Sequence, residues 1–64
     1  MSDGREIVSI TWYSHRPDWH ELVYDNGDYE RVPGGVEDAA GLAEALKLEL
    51  MPERAGMVLW ERNR

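Results

Sequence analysis

From Arg5 to Tyr13 the chain alternates, with Val8, Ile10 and Trp12 on one side and Ile7, Ser9, Thr11 and Tyr13 on the other. A period of two is that of a β-strand with one face in a core. Ser14-His-Arg-Pro-Asp18 interrupts it as a turn, since Pro17 fixes φ and an Asp at position 18 bonds nearby backbone N–H groups. A second strand is expected from Trp19 to about Asp25 and a third from Asp28 to Val32. They meet at Asn26-Gly27, a pair that tolerates positive φ and suits a two-residue hairpin turn. Pro33-Gly-Gly35 then ends the ladder, because Pro has no donor and Gly favours irregular backbone.

Pairing arithmetic assigns faces. A two-residue turn at Asn26-Gly27 sets Tyr24 against Tyr29 and Leu22 against Arg31. A five-residue loop from Ser14 to Asp18 sets Tyr13 against Trp19, Trp12 against His20, Ile10 against Leu22 and Val8 against Tyr24. Both registers then agree that Val8, Ile10, Trp12, Leu22, Tyr24 and Tyr29 share the core side. Ile7, Thr11, Tyr13, Trp19, Glu21, Val23, Glu30 and Val32 are expected on the outer side. A slip of one residue in either hairpin reverses part of this sorting.

After Val36 the period changes. Ala39, Leu42, Ala43 and Leu46 have the spacing of one apolar helix face. Glu37 and Asp38 suit the positive end of the helix dipole and Lys47 the negative end. Gly35 is an acceptable N-cap. Gly41 costs about 1 kcal/mol against Ala inside a helix, a cost that close approach to the sheet would explain. Leu46, Leu48 and Leu50 alternate with Lys47 and Glu49, and Pro52 opposes continuing the helix. The pattern therefore predicts a helix from about Val36 to Lys47, a short strand from Leu48 to Met51, and a last strand from Met57 to Arg62. Within that last strand Val58 and Trp60 share a face.

The expected architecture is α+β, a small antiparallel sheet in the order β-β-β-α-β-β with one helix packed on one face. It is a single domain over residues 1–64, with 1–5 and 63–64 expected to be flexible. A helix about 10 Å wide covers two or three strands spaced about 4.8 Å apart. Part of a five-stranded sheet must therefore curl, meet solvent or meet a partner.

Composition narrows the classes. A chain of 64 residues buries only roughly 60% of its unfolded surface, so its stability is small. Without cysteine it has no disulfide, thiolate ligand or thiol nucleophile, and it suits a reducing compartment. No apolar run approaches the roughly 18 residues of a spanning helix, so the expectation is a soluble cytoplasmic protein with no membrane partner. Thirteen acidic and seven basic residues give a net charge of −6, which repels polyanions and favours solubility or a basic partner.

Motifs for chemistry are sparse. His15, Asp18, His20 and Glu21 are metal-ligand types, but His20 and Glu21 are neighbours in a strand and point to opposite faces. They read as a turn with surface histidines. Ser14 beside His15 lacks an orienting third group, and neither glycine pair carries the lysine of a phosphate loop. The chain reads as non-enzymatic, with no cofactor and no metal. Gly27-Asp-Tyr-Glu-Arg-Val-Pro33 resembles the hairpin exit of KTSC-type domains, which are small sheet modules. The helix and last strand do not follow that pattern, so the resemblance implies nothing further.

Three functions are weighed. The first is a protein-interaction or self-association module, a homodimer included, acting through an outer face that holds Tyr13, Trp19, Glu21, Val23, Glu30 and Val32. That set is apolar for a solvated surface and has the aromatic anchors typical of interfaces. The second is an acidic decoy or regulator that binds a basic nucleic-acid-binding protein, with Glu21, Asp25, Asp28 and Glu30 forming a row. The third is stacking of single-stranded nucleic acid on Tyr13 and Trp19 near Arg5, Arg16 and Arg31, against which the net charge argues.

Overall fold

A computed structural model of the chain describes residues 6–52 and 54–62, so the two termini expected to be flexible lie outside the described residues. The elements are β1 (Ile7–Tyr13), β2 (Arg16–Tyr24), β3 (Tyr29–Pro33), α1 (Val36–Ala45), β4 (Leu48–Leu50) and β5 (Met57–Arg62). They form one antiparallel sheet in the order β3-β2-β1-β5-β4, with α1 lying over β1, β2 and β4. This is the α+β architecture that the change of period predicts.

The core is small. Ile10, Leu22 and Trp60 are buried from the sheet, and Ala39 and Ala43 from the helix. The helix contributes two alanines, whose short side chains let its backbone approach the larger strand residues. Ile7, Trp12, Tyr24, Val32, Val36, Leu42, Leu48 and Val58 pack around this centre.

Three contacts position the helix. Gly34 donates its N–H to the Asp18 carbonyl (2.9 Å) and its own carbonyl accepts from His20 Nδ1 (3.0 Å). His20, expected at the surface, is therefore buried at 3% exposure and fastens the helix approach to β2. A carbonyl only accepts, so Nδ1 carries the hydrogen. Gly34 sits at φ +129°, and a Cβ there would lie 2.7 Å from Asp38 Oδ2. Gly35 caps α1 through its carbonyl, which accepts from Ala39 N (3.1 Å).

The helix stops two residues short of Lys47. Leu46 is the C-cap, and Lys47 adopts φ 62°, donating to the Glu44 carbonyl at 3.1 Å. This left-handed residue turns the chain into β4. Gly41 does not serve close packing, because a Cβ at that position would meet nothing within 4 Å.

Two registers depart from the arithmetic. The second hairpin pairs Val23 with Tyr29, Leu22 with Glu30 and His20 with Val32, one residue from expectation. Asp25, Asn26 and Gly27 form a three-residue loop: Gly27 N–H donates to the Tyr24 carbonyl (3.0 Å) and Tyr24 N–H to the Asp28 carbonyl (2.8 Å). Gly27 takes φ +93°, and Asn26 Oδ1 accepts from Asp28 N–H (3.0 Å). Three-residue hairpins with a positive-φ third residue are the next commonest solution after the two-residue turn.

In the first hairpin Ile10 faces Leu22 and Trp12 faces His20, as expected. The ladder is irregular at both ends. Ile7, not Val8, pairs with Tyr24, with Val8 as the extra residue of a bulge, and Tyr13 pairs with Arg16 across a tight turn at Ser14-His15. Ile7 therefore packs on the core, whereas Val8 does not.

Two glycine substitutions separate these explanations. Gly41→Ala raises stability by about 1 kcal/mol in denaturant unfolding, since it lies exposed within a helix. Gly34→Ala lowers it by more than about 1 kcal/mol, because backbone angle and space both reject a side chain.

Candidate interaction surface

Strand alternation sends every second residue away from α1. Across the sheet this gives rows that can be read from the ladders. Arg31, Glu21, Thr11 and Leu59 lie side by side on β3, β2, β1 and β5. Tyr29, Val23, Ser9, Glu61 and Glu49 form the next row, which reaches β4. No described helix or strand covers this face; α1, the described helix, is on the other.

At one end of the face the aromatics gather. The ring centroids of Tyr13 and Trp19 are 5.9 Å apart at 64°, and those of Tyr13 and His15 are 5.8 Å apart at 61°. Both are edge-to-face arrangements that set a positive ring edge against a negative ring face. The Arg31 guanidinium lies 4.8 Å from the Trp19 ring centre, a cation–π contact. Ser14 N–H donates to the Gly56 carbonyl at 2.8 Å and ties the tight turn to the loop before β5. Pro17 to Trp19 are accommodated between the Tyr13–Arg16 and Trp12–His20 pairings, and this irregular stretch brings Trp19 beside Tyr13.

Of the six expected surface residues, the structure brings four together on the open face: Tyr13, Trp19, Glu21 and Val23. Glu30 and Val32 are on the helix side, a correction that follows from the three-residue loop. Val32 packs on the core, and Glu30 Oε1 accepts the Tyr24 hydroxyl at 2.9 Å. The same loop moves Tyr29 from its expected place in the core to the open face, where it is 67% exposed. Arg31, Met57 and Leu59 also belong to the face, and alternation along β5 was the signal for the last two.

The acidic row expected of a decoy is not assembled, since Glu30 faces the helix while Asp25 and Asp28 are in the turn. A different acidic pair is present. Glu49 and Glu61 stand directly opposite one another on β4 and β5. Among the described residues no ion pair reaches either carboxylate; Arg62 is engaged with Glu6 at 3.0 Å.

No group of three or more His, Cys, Asp or Glu side chains among the described residues is arranged to hold a metal ion. No helix there is long and apolar enough to cross a membrane. Shallow depressions of about 450 Å³ lie at the end of the sheet by Tyr24 and Arg62, open to solvent. Compared with known proteins, the chain matches no family model, no curated protein and no solved structure. The likeness of residues 27–33 to KTSC-type hairpins thus does not extend to a family assignment.

The two faces should respond differently to truncation. Ile10→Ala opens a cavity at the fully buried position and costs about 2–5 kcal/mol, enough to unfold a domain of this size. Trp19→Ala removes surface ring contacts and costs about 1 kcal/mol, leaving a cooperative thermal transition in circular dichroism.

Proposed function

We propose that this chain is a small, acidic, non-enzymatic module of the cytoplasm that acts by binding protein through its open sheet face. One observation carries the reading: among the described residues no layer covers one face of the sheet, yet that face presents an ordered cluster of Tyr13, Trp19 and Arg31. Tyr, Trp and Arg are the residue types that dominate binding energy at protein interfaces. They lie with Val23, Met57 and Leu59, half-buried residues that supply apolar area around the anchors. A protein surface buries such a patch, whereas a small polar ligand would leave most of it wet.

Tyr29 is the natural reporter, being on the open face and already aromatic. Replacing it as Tyr29→p-benzoylphenylalanine and irradiating cells should give covalent adducts to protein. The same photo-reactive group at Leu50, exposed on the helix side, is expected to give none above background. Adducts from position 50 but not from position 29 would overturn the proposal.

A further inference from the structure

We infer that the open face is closed by a second copy of this chain, packed sheet on sheet about a two-fold axis parallel to β1. The inference rests on the open-face reading above and names its occupant.

Charge is distributed unevenly across the face. The β2–β3 half carries Arg31 beside Glu21, with the aromatics, while the β4–β5 half carries Glu49 and Glu61. Directly opposed like charges destabilise an isolated sheet, and no described cation in the same chain relieves this pair. A two-fold axis along the central strand lays β1 on β1 and exchanges the flanks. Each copy's β2 and β3 then lie over the partner copy's β5 and β4. Arg31 is delivered to the half that holds the acidic pair, twice, by one symmetry operation. The alternative axis, perpendicular to the strands, stacks each half on itself and keeps the acids together.

Size argues the same way. Five strands about 4.8 Å apart and about five residues long present a face on the order of 19 by 17 Å. Standard interfaces bury at least about 600 Å² per partner, more than the roughly 320 Å² that this face spans in projection, so the whole face must be used and the association is weak. A flat partner of equal extent uses the whole face, and an identical sheet is one. Packed sheets settle about 10 Å apart, rotated by about 30°. A contact of this size is weak and reversible.

The sheet edges do not offer the same association. Pairing all of β3 with itself sets Arg31 against Arg31, and pairing all of β4 sets Glu49 against Glu49.

Sedimentation equilibrium of the full chain from about 1 µM to about 1 mM tests the inference. The expected result is a reversible monomer–dimer equilibrium. Arg31→Glu should weaken it about tenfold or more, and adding Glu49→Arg with Glu61→Arg to that variant should restore it. A monomer throughout the range, or a triple variant no stronger than the single, overturns the inference. Mass analysis of the Tyr29 adduct separates the two proposals. An adduct of twice the chain mass supports both, an adduct to a different protein with a monomeric chain overturns only this one, and no adduct overturns both.

Discussion

One helix cannot cover this sheet. Ten residues make a rod about 15 Å long and about 10 Å wide, whereas five strands span about 19 Å. Everything else follows from that mismatch. The helix lies over β1, β2 and β4, the core forms beneath it, and the outer strand β3 and the whole opposite face are left to other means. The buried apolar set is accordingly three sheet residues and two alanines.

Within that limit, small residues and backbone contacts replace bulk. Ala39 and Ala43 bring the helix close enough for Ile10, Leu22 and Trp60 to be buried by it. His20 and Gly34 then fix where the helix begins, because a buried polar ring is tolerated only with a partner and the carbonyl supplies it. A hydrogen-bonded histidine in this position trades apolar area for a defined docking point. The linker Pro33–Gly35 is thus held at both its carbonyl and its amide, and only glycine fits the space above Asp38.

Much of this was legible in the sequence. The change of period at Val36 gave the helix, Gly35 its start, and alternation gave five strands and the central pairs Ile10–Leu22 and Trp12–His20. The differences in the second hairpin share one origin. Turn length is set by backbone hydrogen bonds that residue type only suggests, and Asn-Gly serves a two-residue or a three-residue loop. Choosing the shorter loop moved Tyr29, Glu30 and Val32 to the wrong faces together. A bulge leaves still less trace: nothing in Ile7-Val8-Ser9 marks Val8 as the extra residue, since all three suit a strand.

The same irregularities make the surface. With an ideal first hairpin Tyr13 and Trp19 would be direct cross-strand partners; instead Pro17 to Trp19 are fed in between two pairings, and the rings meet edge to face. With a two-residue turn, Arg31 would have been opposite Leu22 on the core side, where a guanidinium has no place. The three-residue loop turns it outward onto Trp19, and Tyr29 with it. One residue of loop therefore exchanges Arg31 for an exposed Glu30 on the helix side, takes a phenol off that side, admits Val32 to the core, and assembles an aromatic–arginine cluster on the open face. Core and surface are consequences of one register, so a substitution that shortened the 25–27 loop would damage both at once.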